Sequence, residues 1–202
     1  MMVRPKDIKD NAMPSANALA VTVLALLSRR TANLEYADKA TTALAAFTAD
    51  INKQPTSYTR LLSAAAILNN GQTGSVQYAA KGAVTIRAKR TVNNQVLVSI
   101  LLKPGWHINA SKPLQDALIA TKISLARGKL SHVIYPPVIL KKLSFGQQKL
   151  ALYENQLTVQ ATLPEALKDK PMIKVQVQLQ ACNDKHCLAP ETLMLEVFKF
   201  VS

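Results

Sequence analysis

The sequence predicts a two-part α+β chain, an α-helical N-terminal segment followed by an antiparallel β-sandwich. Up to Gly71, apolar residues recur at three- and four-residue steps; beyond it, several segments alternate apolar and polar residues. Turn residues then punctuate the second part at short intervals, the signature of a sandwich. At 202 residues the chain suits one large domain or two small ones, and 49% hydrophobic with 18% charged residues describes a foldable globular composition.

The first ten residues are polar and are expected to be irregular. Pro14 to Arg30 reads as a helix apolar on most faces, which requires enclosure by protein. The connection Thr31-Ala32-Asn33 leads to a second helix over Leu34–Ile51, with Tyr36, Ala37, Ala40, Leu44, Phe47 and Ile51 on one stripe. A third, Ser57–Asn69, carries Leu61, Leu62, Ala65 and Leu68 and stops at Asn69-Asn70-Gly71. Strands are expected at 83–89, 95–102, 121–125, 132–135, 156–163, 173–181 and 192–200, separated by Asn93-Asn94, Lys103-Pro104-Gly105, Arg127-Gly128, Pro136-Pro137 and Pro164. The resulting boundaries are 1–71 for the helices, 72–82 for a linker and 83–202 for the sandwich.

Basic residues Arg4, Lys6 and Lys9 precede the apolar stretch Ala16–Leu27, in the manner of an export signal. Asp7 and Asp10 interrupt the basic part, and Arg29-Arg30 stands where small cleavage-site residues belong, so a buried helix is the better reading. The stretch is also shorter than the roughly 20 residues that cross a bilayer. The formal charge of +13 is scattered, with no run of five like charges and no nucleic-acid motif, which argues against nucleic acid and for a solvated surface.

The chemistry concentrates in Cys182-Asn183-Asp184-Lys185-His186-Cys187, which holds the only two cysteines. Five residues of extended strand would separate their Cα atoms by about 16–17 Å, whereas a disulfide needs about 4.4–6.8 Å. The intervening residues must fold back, and Asn183 and Asp184 suit a turn. The simplest picture is a β-hairpin with the pair across its mouth. So short a loop contributes only about 2 kcal/mol in the chain-entropy view. Three readings stand: a redox-active pair, a local staple or two reduced thiols, and a metal site using His186 with His107 or His132. Lys185 or a protonated His186 could favour a neighbouring thiolate. Trp106 and His107 are expected in the sandwich core and at its edge.

Two resemblances extend this reading. Asp10-Asn11-Ala12-Met13-Pro14-Ser15-Ala16-Asn17, with Tyr36 and Lys39-Ala40 downstream, resembles the closing helices of thioredoxin-domain proteins that carry a helical barrel of the N-acylglucosamine-epimerase type. It implies that residues 1–71 are the end of such a barrel, in a fragment or truncated product. Glycosidase chemistry is not carried over, since residues 14–70 offer only Glu35, Asp38 and Asp50 as acids.

Gly105-Trp106-His107-Ile108-Asn109-Ala110, Tyr135-Pro136, Phe145 with Tyr153, and Gln180–Glu191 ending in Pro190-Glu191-Thr192 resemble the N-terminal domain of the thiol:disulfide interchange protein DsbD. That family has an immunoglobulin-like sandwich with two cysteines near its C-terminal end, spaced with five residues between them where this chain has four. The resemblance implies a thiol:disulfide oxidoreductase without cofactor or metal. Cys182 and Cys187 would relay electrons between a thioredoxin-like domain and oxidised protein substrates, and Phe145 would shield them from a cap loop. It also implies a periplasmic or other oxidising compartment. The alternative is a non-catalytic docking module with a structural disulfide.

Overall fold

The computed structural model describes residues 8–10, 13, 15–31, 33–71, 74–143 and 148–199. They fall into two compact units, 1–72 and 73–202.

The first unit is helical: α1 (Ala16–Thr31), α2 (Leu34–Ala46), α3 (Thr48–Lys53) and α4 (Thr59–Asn70), with a 3₁₀ turn at Pro55–Tyr58. Two residues of the stretch that resembles a barrel opening, Asp10 and Ser15, hydrogen-bond helix N-termini. The Ser15 hydroxyl accepts from the Ala18 amide at 3.0 Å, capping α1. Asp10 reaches across the sequence to α4, its carboxylate accepting from the Arg60 amide at 2.8 Å and the Thr59 hydroxyl at 3.1 Å. At the other end of α4 the Arg29 guanidinium donates to the carbonyls of Ile67 and Leu68, where a cation also meets the negative pole of the helix.

The expected single helix over 34–51 is broken at Phe47, whose backbone leaves helical geometry (φ −112°, ψ 5°) between α2 and α3. Ala18, Val21 and Ala25 of α1 pack with Ala40, Tyr58, Leu61 and Ala64. The far side of α1 is not enclosed as its composition predicts: Leu19 and Val23 are 49% and 45% exposed. Alanine-rich neighbours bury one stripe and cannot wrap the whole circumference.

The second unit is a β-sandwich, as the sequence predicts. A five-stranded sheet runs β1–β2–β3–β9–β6, made of Val76–Ala79, Val84–Arg90, Gln95–Leu102, Gln156–Thr162 and Ser131–Ile134. A three-stranded sheet runs β12–β10–β5, made of Glu191–Phe198, Met172–Leu179 and Lys122–Leu125. A four-stranded sheet runs β11–β4–β8–β7, made of Ala181–Cys182, His107–Asn109, Lys149–Glu154 and Ile139–Lys142. Every pairing is antiparallel. Alternation sets the faces: Val84, Ile86, Val98, Ile100 and Val159 of the first sheet share one core with Val175, Val177, Leu179 and Leu195 of the second and Ile108, Ala151 and Tyr153 of the third.

Four strands lie outside the expected set: β1, inside the stretch read as linker (72–82), and β4, β7 and β8. Pro190-Glu191-Thr192 begins β12, and the Glu191 carboxylate accepts from the Ala80 amide at 2.6 Å. That bond holds a tight corner between β1 and β2 in which Ala80 and Lys81 have positive φ. Buried Arg90 donates to the carbonyls of Leu167, Lys168 and Lys170, fastening the 164–171 connection to the end of β2.

Candidate functional site

The cysteines sit where the chain changes sheets. β10 pairs with β12 over its whole length, from Met172↔Phe198 to Leu179↔Glu191. After Leu179 the chain leaves that sheet, and β11 becomes a strand of the four-stranded sheet by pairing with β4, Ala181↔Ile108 and Cys182↔His107. The tight hairpin that follows is therefore the tip of the longer β10–β12 excursion, a refinement of the simple hairpin expected.

Within the tip, Cys182 and Cys187 face each other across an isolated antiparallel bridge. The Asn183 amide donates to the His186 carbonyl at 3.0 Å and the Leu188 amide to the Ala181 carbonyl at 2.9 Å, bracketing the pair on both sides. The cysteines thus occupy a non-hydrogen-bonded position, where opposing Cα atoms approach to about 4.5 Å. Here the separation is 4.0 Å, and the two sulfurs form a disulfide.

Asn183 shapes the turn. Its side-chain oxygen accepts from the amides of Lys185 (2.9 Å) and His186 (3.0 Å), replacing a backbone carbonyl and closing the bend. Gln180 braces the base: its amide donates to the Leu188 carbonyl at 3.1 Å and its oxygen meets the Asn109 amide group of β4 at 3.4 Å.

The pair is asymmetric. Cys182 is buried (2% exposed), whereas Cys187 lies on the exposed limb with Asp184, Lys185 and His186. Lys185 and His186 are thus in the turn itself. Phe145, the expected shield, lies outside the described residues. His132 is an exposed residue of β6 in the five-stranded sheet, and no cluster of three metal-ligating side chains forms among the described residues.

A neighbour that sequence reasoning assigned only to core and edge also lies here. Ala181, Ile108 and Tyr153 point into the main core, so their alternates Cys182, His107 and Glu154 occupy the opposite face of the sheet. His107 is the direct register partner of Cys182 on one side and of Glu154 on the other. It is 2% exposed. Burial holds its imidazole below the ordinary histidine range; the Glu154 and Asp184 carboxylates act against that, and the Lys141 ammonium adds to it.

A mixed patch of Cys182, His107, Asn109 and Leu152 is thereby buried outside the main core. Asn109 ties it to the 110–121 connection by donating to the Ile119 carbonyl at 3.0 Å, while its own carbonyl accepts from Thr121 at 2.6 Å.

Residues 76–199 match the family described as thiol:disulfide interchange protein DsbD, N-terminal. The chain belongs to this DsbD N-terminal family. It therefore carries a thiol–disulfide interchange domain, and the match takes in both cysteines, His107 and the Glu191 corner. Similar solved structures include the N-terminal periplasmic domain of ScsB from Proteus mirabilis, at 17% identity and a TM-score of 0.40 over 56% of this chain and 44% of that one. The DsbD N-terminal domain of Neisseria meningitidis in its reduced form is another, at 14% identity and a TM-score of 0.42 over 60% and 89%. A third is the complex between the DsbD N-terminal and PilB N-terminal domains of Neisseria meningitidis, at 16% identity and a TM-score of 0.39 over 58% and 84%. The chain thus spans less than half the length of the ScsB domain. No curated protein matches it. Among the described residues of this DsbD N-terminal family member, no helix is long and apolar enough to cross a membrane.

Proposed function

We propose that Cys182 and Cys187 are the exchanging pair of a thiol–disulfide relay. The observation that carries this reading is their placement: a disulfide on an edge hairpin, with one cysteine buried and the other exposed. A staple intended for stability gains most when it closes a long loop, and this one encloses four residues. Exchange needs in-line access to a sulfur by an incoming thiolate. Cys187 offers that access, so a partner thiolate attacks its Sγ, forms a mixed disulfide and releases Cys182. A second thiolate of the partner then attacks its own sulfur in the mixed disulfide and releases Cys187, leaving a dithiol here and a disulfide there.

A thioredoxin-like protein has a fitting donor chemistry, two thiols in one accessible site, and oxidised proteins fit as acceptors. Lys185, on the exposed limb, contributes positive charge near the attacked cysteine, and His186 is its neighbour in the turn.

The test is the reduction potential, measured by equilibration in glutathione and thioredoxin buffers with thiol trapping. The reading expects a value between about −270 and −180 mV; a pair oxidised well below about −300 mV is a staple and leaves a docking module instead. Cys182→Ala and Cys187→Ala should each abolish turnover while leaving the sandwich folded. Full activity in either would refute the dithiol mechanism.

A further inference from the structure

One buried ionisable group at the site has no part in exchange through the two sulfurs alone. His107 is flanked in register by Cys182 and Glu154. Directly opposed side chains share a face with Cβ atoms about 4.5–5.5 Å apart. Cys182, His107 and Glu154 therefore form one row across β11, β4 and β8; Lys141 of β7, opposite Leu150 in register, reaches the Glu154 carboxylate with its ammonium at 2.7 Å. Nε2 of His107 is buried and has no hydrogen-bond partner among the described residues while the disulfide is closed. A buried ring nitrogen left without a partner is costly and calls for a reason. Opening the disulfide creates a thiol on the residue opposite.

We propose that His107 is the proton partner of Cys182, accepting the thiol proton when Cys182 attacks and returning it when Cys182 is expelled. The inference rests on the exchange reading above. When a partner thiolate attacks Cys187 Sγ, the new S–S bond forms there, the Cys182–Cys187 bond breaks, and its electron pair stays on Cys182 Sγ. The His107 imidazolium gives that thiolate its proton. In the opposite direction neutral His107 takes the proton from the Cys182 thiol. The resulting thiolate attacks Cys187 Sγ in the mixed disulfide and expels the partner's thiolate. Electrons come from and go to the partner's thiols, and the histidine is unchanged over a cycle.

A base is needed at Cys182 because burial in apolar surroundings disfavours a thiolate. Burial, the largest influence on the ring, favours its neutral form, the one that accepts a proton. Glu154 from β8 and Asp184 from the turn favour the imidazolium, and Lys141 from β7 and burial favour the neutral ring. A merely space-filling histidine would require neither the row nor a buried nitrogen left without a partner among the described residues.

Ring closure isolates the step. Reduced protein is mixed with one equivalent of dithiobis(nitrobenzoate); the first release of thionitrobenzoate reports attack by exposed Cys187, the second reports closure by Cys182. His107→Gln should slow the second release about tenfold or more at neutral pH, the lower range of general-base effects, and change the first by less than about twofold. The two proteins should converge as the pH is raised far enough for the Cys182 thiol to ionise unaided. A folded His107→Gln protein with an unchanged second phase and pH profile overturns the inference and leaves the exchange reading intact. Absence of any second phase in the unaltered protein overturns the exchange reading itself. If His107→Gln does not fold, the imidazole of the unaltered protein is titrated by NMR in both redox states. Titration at lower pH in the reduced state is expected, because the thiol donates to the neutral ring, and identical titrations overturn the pairing.

Discussion

The turn that joins the two cysteines should set the reduction potential, and Asn183→Ala measures how strongly. In the oxidised protein the disulfide itself fixes the ends of the turn. In the dithiol only local hydrogen bonds do so: the backbone pair bracketing the cysteines, and the two amides held by Asn183 Oδ1 at 2.9 and 3.0 Å. Those side-chain bonds are exposed, so each contributes near the low end of the net range, about 0.5 kcal/mol. Removing both costs the cross-linked state, where the turn is always formed, about 1 kcal/mol, and costs the dithiol, where the turn forms part of the time, less. The thiols then spend less time within bonding distance, and the disulfide forms less readily. With 1.4 kcal/mol equivalent to about 30 mV for a two-electron couple, the potential should rise by about 10–20 mV towards a more oxidising value. Equilibration in graded glutathione buffers, with alkylation of free thiols and mass analysis, resolves such a change. A fall in potential, or a value unchanged within a few millivolts, would refute the argument that the turn preorganises the pair.

Other outcomes follow from the same geometry. Arg90→Met removes donors to three carbonyls at a buried position and should cost about 2–4 kcal/mol in urea unfolding, without altering the reduction potential. Because His107 has its pKa depressed on folding, the unfolded chain binds the extra proton first. Its contribution to stability is therefore present above about pH 6.5 and is lost as the pH falls below that value; His107→Gln should flatten this part of the stability–pH curve. Glu191→Ala leaves the Ala80 amide without its acceptor and should lower stability by about 1–2 kcal/mol, read as a reduced thermal midpoint.

What the sequence revealed and what it concealed divide along physical lines. β2, β3, β9, β10 and β12 have one face on the core and one facing out, so their alternation is visible in residues such as Ile173, Val175, Val177 and Leu179. β8 has no such signal, because Ala151, Leu152 and Tyr153 are buried in succession: the main core takes one face and the mixed patch the other. β4 is three residues long and buried throughout, so it shows no period either. β7 is exposed along its length at a sheet edge, and its lysines read as surface. The helix break at Phe47 falls inside an unbroken apolar stripe. The turn at Cys182–Cys187 was legible from two cysteines and the turn-forming Asn183. The place of His107 was not, since register between strands 75 positions apart leaves no trace in one sequence. The nearest signal was a polar residue inside the otherwise buried Trp106–Ala110 segment.

The change of sheet after Leu179 means that the cysteine-bearing loop hangs from the scaffold as an appendix. Ala181 is the last residue before it to face the main core, and the bend from Asn183 to His186 is closed by the hydrogen bonds of Asn183, with Asp184, Lys185 and His186 exposed. A residue gained or lost between the cysteines would be absorbed at the tip, without moving β11 against β4. Loop length, and with it the driving force for electron transfer, can therefore drift among related chains while the surrounding architecture stays fixed.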